Sequence, residues 1–165
     1  MKKLLLLDAD VIMDLHTLGL FEKITKTYEV SVARTVVDEA QYFKSGGKRH
    51  KIDIGASVTI IDNVDIKSLM HVRNEAKEAW LGIDPGELES IAYLSAAEEK
   101  VTFCTCDKAA IKLISYMELE AKSISVEKAV KGQGITKRIY TRDILKKCLG
   151  SVLRTAKPDA FNLKS

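Results

Sequence analysis

The sequence has few of the residues that build zinc sites, and it lacks a long hydrophobic run. Its 165 residues include only three cysteines and three histidines, without the spacing of four zinc ligands. We therefore expect reduced cysteines, with Cys104 and Cys106 in the core. The apolar run Leu4–Leu7 is far shorter than a secretory signal or a membrane span requires. These absences favour a cytoplasmic protein that makes no membrane contact.

The sequence also has no large excess of positive or negative charge. The formal net charge is +3 at pH 7, whereas strong nucleic-acid binders are usually more basic. A preference for polyanions must then come from where the charges lie. Apolar residues make up 46% and charged residues 30% of the chain, which is typical of a folded protein rather than a disordered one. The length, without a repeat or linker, predicts a single domain over residues 1–165.

Apolar periodicity alternates between strand-like and helix-like segments. Five strands are predicted, at Leu4–Asp8, Tyr28–Ala33, Val58–Ile61, Val101–Thr105 and Lys122–Val126. Five helices are predicted between them, at Val11–Lys26, Arg34–Phe43, Asp65–Trp80, from IDPGE to Glu99, and at Asp107–Leu119. The segment KSGGKRHK ends the second helix with two glycines. This alternation indicates a three-layer α/β/α sandwich on a mostly parallel sheet, followed by a basic helical extension over residues 127–165.

An aspartate lies at or just beyond the end of two predicted strands. Asp8 follows the run LLLL, and Asp107 follows VTFCTC. The carboxyl ends of parallel strands meet at one edge of the sheet, where sites form, so neighbouring strands would bring the two side chains together. Aspartate is also a favoured helix N-cap, so Asp8 or Asp10, and likewise Asp107, could have only that structural role.

Two predicted helices offer further acids at the margin of their buried faces. In ARTVVDEAQYF, a helical wheel places Glu39 beside the apolar face and Asp38 nearly opposite it. Thr35 and Asp38 also have the spacing of a capping box, which gives Asp38 a local role. In DPGELES, Glu87 borders the buried face, while Glu89 points to solvent. Glu87 could equally complete a capping box at the start of its helix.

Four acids thus share one pattern, at a strand end or early in a helix and on its inward margin: Asp8, Glu39, Glu87 and Asp107. Clustered carboxylates repel one another, so the cluster is stable only when cations neutralise it. Ligation by oxygen alone favours Mg²⁺ or Mn²⁺ over zinc. Two such ions activate a water and stabilise the leaving oxygen in phosphodiester hydrolysis.

At this point the sequence resembles the PIN-domain family. The segments LLLLDADVIMDL, SVARTVVDEA, DPGELESIAYLSAAEEK and VTFCTCDKAAI have the order and spacing of that family's motifs over residues 3–126. The PGELES version of the third motif resembles a less-characterised PIN subgroup. The resemblance implies an α/β/α sandwich and a Mg²⁺- or Mn²⁺-dependent endoribonuclease acting on single-stranded or structured RNA. The family includes toxins that are inhibited by an antitoxin protein, and its members often form homodimers.

The resemblance assigns roles to six residues. The metal-binding acids that carry catalysis in the family match Asp8, Glu39, Glu87 and Asp107. Thr105 matches a hydroxyl residue often found two positions before the last aspartate. Asp10 falls where the family often has a small polar residue, which implies a supporting role.

Two basic clusters are candidates for binding the RNA backbone. The first follows the helix of Glu39 and contains Lys44, Lys48, Arg49 and Lys51. The second is C-terminal and contains Lys131, Lys137, Arg138, Arg142, Lys146 and Lys147. Lysine and arginine side chains on phosphates make binding weaken as salt increases. Solvated surface charge is the alternative explanation for both clusters.

Three other interpretations stay open. LLLLDADVI also matches the opening motif of haloacid dehalogenase-type phosphatases, with Asp8 as nucleophile and Asp10 as general acid. That fold also needs a lysine and a late acidic pair, whereas Asp107 is single. A response-regulator receiver needs a phosphoacceptor at the end of a central strand, for which Val58–Asp62 offers a poor candidate. The third is a catalytically inactive PIN-like module that binds RNA or a protein.

Overall fold

The computed structural model describes residues 2–98 and 100–131. The strands are β1 (Lys3–Leu7), β2 (Tyr28–Ala33), β3 (Tyr42–Ser45), β4 (Lys48–Lys51), β5 (Val58–Ile61), β6 (Val101–Cys104) and β7 (Ser123–Ile124). The helices are α1 (Ala9–Thr17), α2 (Phe21–Thr27), α3 (Arg34–Glu39), α4 (Ile66–Glu78), α5 (Pro85–Ala96), α6 (Lys108–Tyr116) and α7 (Val126–Lys131), and a 3₁₀ turn spans Glu120–Lys122. Among these helices, none is long and apolar enough to cross a membrane.

A five-stranded sheet with the strand order β5-β2-β1-β6-β7 lies between two layers of helices. Every strand pairing in this sheet is parallel. Leu5 and Leu7 of β1 pack with α1, α2 and α7 on one face, while Leu6 packs with α4, α5 and α6 on the other, as the alternation of side chains along a strand requires. The predicted three-layer α/β/α sandwich is confirmed.

The leucines of β1 explain why this strand is central. Leu5, Leu6 and Leu7 are each at most 1% exposed, because a parallel strand that is covered on both faces needs a continuous apolar run. From β1 the chain runs outward to β2 and β5, then returns to β6 on the other side of β1. Ligand sites in open α/β sheets form beyond the carboxyl ends of the strands at such a reversal. Since β5 lies at the edge of the sheet, it does not supply the central strand that a receiver needs.

Only the beginning of the predicted C-terminal extension lies within the described residues. Val126 and Val130 of α7 are buried in the same core as α1 and α2, and the Tyr28 hydroxyl donates to the Ala129 carbonyl at 3.2 Å. Lys131 forms an ion pair with Glu127. The other predicted basic residues, Lys137, Arg138, Arg142, Lys146 and Lys147, fall outside the described residues, as does Glu99.

The predicted helix over Val11–Lys26 is two helices, because a glycine ends the first one. Gly19 has a φ of +66°, and its N–H donates to the His16 carbonyl at 3.0 Å. The N–H of Leu20 donates to the Leu15 carbonyl at 2.8 Å. This pair of hydrogen bonds around a left-handed glycine is the Schellman motif that closes helices.

The predicted helix over Arg34–Phe43 ends at Glu39, and its last residues begin a β-hairpin. Strands β3 and β4 pair antiparallel with Ser45 opposite Lys48, so the connecting loop is Gly46 and Gly47. Their φ values are +58° and +73°, as a two-residue turn with left-handed backbone at both positions requires. The sequence-based prediction treats this glycine pair only as a helix breaker and does not include the hairpin.

The predicted position of Cys104 and Cys106 at the core is correct, whereas the predicted reduced state is wrong for Cys106. Cys104 is free and buried, whereas Cys106 is disulfide-bonded. Cys106 lies beyond the end of β6, but it is partly buried and packs against the same core as Cys104.

We predict that Gly47→Ala lowers the free energy of unfolding by about 1–2 kcal/mol, because a side chain in the left-handed conformation costs about that much. Gly82→Ala is the matched control, since Gly82 is outside the left-handed region and a Cβ there would meet no atom within 4 Å. Its expected change is within about 0.5 kcal/mol. Urea unfolding followed by circular dichroism measures both. Equal midpoints for the two variants would contradict this turn.

Candidate functional site

Two of the predicted acids lie at the carboxyl ends of β1 and β6 and cap the helices that follow. The Oδ1 atom of Asp8 accepts the first backbone N–H of α1 at 2.8 Å. In the same way, Asp107 Oδ1 accepts the backbone N–H groups of Ala109 at 2.6 Å and Ala110 at 2.9 Å. Thr105 joins the two acids: its hydroxyl donates to Asp8 Oδ2 at 2.9 Å and accepts the Asp107 N–H at 3.1 Å. Asp8 and Asp107 are therefore N-caps, and these hydrogen bonds hold both carboxylates at one edge of the sheet.

Glu87, at the start of α5, is the third acid of this edge. Its side chain is only 5% exposed, and its Oε2 accepts the backbone N–H of Asp84 at 3.3 Å, as part of a capping box. Burial raises the pKa of Glu87 to about 8, and the negative charges of Asp8 and Asp107 add to the increase. Glu87 therefore completes the capping box and also lies near the charges of Asp8 and Asp107.

The carboxylates at this edge are held in an unfavourable electrostatic environment. Burial raises the pKa of Asp8 to about 6, hydrogen bonds from Thr105 and the chain partly oppose this, and the charges of Asp10 and Glu39 add to it. Burial also raises the pKa of Glu39. Within the described residues, no ion pair joins a basic side chain to Asp8, Glu39, Glu87 or Asp107. No basic side chain in this part of the chain therefore neutralises the cluster through an ion pair.

Gly86 brings Glu39 to the cluster, and the sequence reading missed it. The Gly86 N–H donates to Glu39 Oε1 at 3.3 Å. A Cβ at position 86 would lie 2.8 Å from both Glu39 Oε2 and Val36 Cγ2, so a side chain there would push α5 away from α3. Glycine is less favourable than alanine in a helix, and it is used where the backbone lies close to another part of the chain. The glycine in PGELES is therefore the feature of the sequence that could have predicted this contact.

Two predictions about neighbouring side chains are wrong. The Thr35–Asp38 capping box does not form, because β2 runs directly into α3 and the N-cap is Ala33. Glu89 does not point away to solvent, since its Oε2 accepts the backbone N–H of Thr35 at 3.3 Å. The first error comes from the position at which α3 begins, and the second comes from the packing of α5 against α3.

Asp10 lies at the margin of the cluster rather than inside it. It is exposed in the first turn of α1, whose N-cap is Asp8. Its charge raises the pKa of Asp8 and of Glu39. Of the two residues predicted to support the site, Thr105 therefore touches the acids directly, and Asp10 acts through its charge.

The acids offer oxygen ligands that are only partly engaged by the protein. Within residues 2–98 and 100–131, no group of three or more His, Cys, Asp or Glu side chains is arranged so that it could hold a metal ion. Instead, one carboxylate oxygen of each of the four acids accepts a hydrogen bond from a backbone N–H. Glu39 Oε2, Glu87 Oε1 and Asp107 Oδ2 accept no hydrogen bond in this part of the chain. The chemistry of this donor set fits a hard cation such as Mg²⁺ or Mn²⁺.

The basic residues of the hairpin divide between its two faces. Lys44 and Arg49 are paired on one face, whereas Lys48 lies on the other. Lys44 and Arg49 line a cavity of about 510 Å³ together with Glu39, and Lys51 lines a different cavity. Of the four hairpin residues predicted to bind phosphates, two therefore share a cavity with an acid of the cluster.

Comparisons with known proteins leave the family open. A scan against protein-family models and searches of curated proteins and of solved structures found no match to this chain. The resemblance to PIN domains accordingly stays a prediction based on four sequence segments.

We predict that the metal-free protein loses stability as the pH increases from about 6 to 8. Glu87 has a pKa of about 8 in the folded state against an ordinary value of 4.5, so between these values the folded state binds more protons than the unfolded state. The free energy of unfolding then falls with pH, by up to about 1.4 kcal/mol per unit for one group.

Thermal unfolding in EDTA across this pH range tests the effect. Glu87→Gln keeps an oxygen for the Asp84 N–H and removes the titration, so its Tm should exceed that of the wild type at pH 8 and change less with pH. Glu78→Gln, an exposed glutamate at the end of α4, should follow the wild-type profile. A Glu87→Gln profile identical to that of the wild type would refute the buried, repelled position of Glu87.

Proposed function

We propose that this chain is a PIN-like endoribonuclease that hydrolyses RNA phosphodiester bonds with Mg²⁺ or Mn²⁺ bound by Asp8, Glu39, Glu87 and Asp107. One observation carries the proposal: Glu87 is buried beside the charges of Asp8 and Asp107 at the point where the strand order reverses. Buried like charges cost stability, and a bound divalent cation offsets that cost. Cation binding would therefore explain why the fold keeps these carboxylates together.

The chain's own residues have distinct roles in this proposal. Divalent ions, when bound, supply an activated water and stabilise the leaving oxygen. Asp8 and Asp107 are oriented by the helix N-termini that they cap, so their remaining oxygens keep a fixed direction. Thr105 orients Asp8 through its hydroxyl. Gly86 lets Glu39 approach the other acids.

A catalytically inactive PIN-like module that binds RNA or a protein is the second candidate. It is favoured by the hydrogen bonds that already engage an oxygen of every acid. In such a module the acids would serve as caps and as contacts between helices. Substitution of Asp8 by asparagine would then leave function intact.

A haloacid dehalogenase-type phosphatase is a weaker candidate. The general acid of that mechanism would be Asp10, which is exposed and forms no hydrogen bond with Asp8 in the described part of the chain. The phosphatase interpretation also gives no role to Glu39 or Glu87.

The likeness to ribonuclease toxins extends the proposal to location and partners. We place the chain in the cytoplasm, with RNA as substrate, an antitoxin protein as inhibitor and a homodimer as its assembled form. Analytical ultracentrifugation of the purified chain tests the last point, since a monomer at all concentrations would contradict it.

We predict Mn²⁺- or Mg²⁺-dependent cleavage of a mixed RNA pool by the wild-type chain and its loss in Asp8→Asn. The loss should exceed the ~10–100-fold that removal of an outer-shell partner costs. Thr105→Val removes such a partner, so its activity should fall by about 10–100-fold. Gel analysis of the RNA over time measures all three proteins.

The controls separate catalysis from folding and from contamination. Glu29→Gln changes an exposed acid on β2, and it should cleave like the wild type. Calorimetric titration with Mn²⁺ provides a readout that does not depend on activity, with weaker binding in Asp8→Asn. Equal cleavage by wild type and Asp8→Asn would refute the site, and Mn²⁺ binding of equal strength would refute the proposed ligand.

A further inference from the structure

One face of the β3–β4 hairpin is packed onto α1. Phe43 and His50 lie opposite each other, and their rings stack with centroids 5.2 Å apart. Phe43 also stacks on His16 of α1 at 5.5 Å. Since α1 begins directly after Asp8, this packing gives the hairpin a defined position relative to the acid cluster.

The opposite face of the hairpin presents a cation stacked on an aromatic ring. The guanidinium carbon of Arg49 lies 3.9 Å from the centre of the Tyr42 ring. This contact restrains a side chain that is otherwise flexible, and Tyr42 stays 37% exposed. Unpaired bases stack on aromatic rings and on guanidinium planes, and guanidinium N–H groups also bind phosphate oxygens. Lys44, paired with Arg49, adds a second cation to this face.

A cavity lined by this face, and also by Phe43 and by Met13 of α1, reaches one acid of the cluster, Glu39. Its lining combines Tyr42, Lys44 and Arg49 with Asp38 and Glu39 in a volume of about 510 Å³. This volume is typical of sites for small organic ligands, ~300–1,000 Å³. A simple acidic ligand would be repelled by the two carboxylates and would leave the ring without a partner. A nucleotide supplies a base for the ring, and its phosphate supplies negative charge for the cations.

We propose that this cavity binds the nucleotide next to the scissile phosphate of a single-stranded RNA, with the base on Tyr42 and Arg49 and a phosphate on Lys44 and Arg49. The position of the scissile phosphate rests on the proposed ribonuclease function, whereas binding in the cavity does not require cleavage. Double-stranded RNA keeps its bases stacked and paired, so its bases do not reach the ring.

The test measures fluorescence anisotropy of a labelled, mixed-sequence single-stranded RNA with the full chain in EDTA, where metal-dependent cleavage does not occur. Tyr42→Leu should weaken binding about 5-fold or more, because one base–aromatic stack contributes about that factor. Tyr42→Phe, which keeps the ring, should bind within about twofold of wild type. Arg49→Gln should weaken binding and lower the slope of log affinity against log salt by about 1.

Two matched variants decide whether the effect belongs to this cavity. Lys48→Gln removes the same charge from the opposite face of the hairpin, and its effect should be smaller than that of Arg49→Gln. Arg73→Gln removes an exposed arginine from α4, in the other helical layer, and should leave the affinity within about twofold. Losses as large as that of Arg49→Gln in these variants would overturn the proposal. So would tight binding of Tyr42→Leu, or equal affinity for duplex RNA.

The outcomes for the cavity and for the catalytic function are separable. If the chain cuts no RNA but the Tyr42 and Arg49 variants bind as expected, the cavity proposal is supported and the ribonuclease proposal fails. If Asp8→Asn abolishes cleavage while Tyr42→Leu and Arg49→Gln change neither affinity nor KM, the cavity proposal fails and the ribonuclease proposal stands.

Discussion

Burial of carboxylates at the carboxyl ends of β1 and β6, together with their mutual repulsion, is the constraint on which the candidate site depends. Asp8 and Glu87 are nearly buried, and their pKa values increase because burial and neighbouring negative charge disfavour ionisation. The fold offsets part of this cost with backbone N–H groups at helix N-termini, which stabilise negative charge. Thr105 adds a hydroxyl. The part of the cost that remains is what a divalent cation would remove if it bound as proposed.

The four acids reach the same edge of the sheet by two different routes. Asp8 and Asp107 reach it through adjacent parallel strands, which is a property of the sheet. Glu39 and Glu87 reach it only because α3 and α5 approach closely, and this approach depends on the missing side chain of Gly86. The absence of a side chain at this one position therefore controls where Glu39 and Glu87 lie. The contact between Glu89 and Thr35 fastens the same pair of helices.

The hairpin adds positive charge beside this negative cluster, which the net charge of +3 does not reveal. Its strands separate Lys44 and Arg49 from Lys48, because side chains alternate between the faces of a strand. Phe43 packs one face onto α1, and Lys44 and Arg49 of the other face line a cavity with Glu39. Opposite charges in one cavity suit a ligand that contacts cations directly and carboxylates through a metal ion. A nucleic-acid strand is such a ligand.

The sequence by itself determined the central strands, the layered α/β/α fold and the placement of Asp8 and Asp107, because strand patterning and helix capping act over a few residues. It also indicated Glu39 and Glu87, since a helical wheel finds the margin of a buried face. Only the tertiary structure decided the hairpin in place of a longer helix and the contact of Glu89 with α3. The same holds for the close approach at Gly86. Each of these depends on which element packs against a segment, and residues far apart in the chain supply that neighbour.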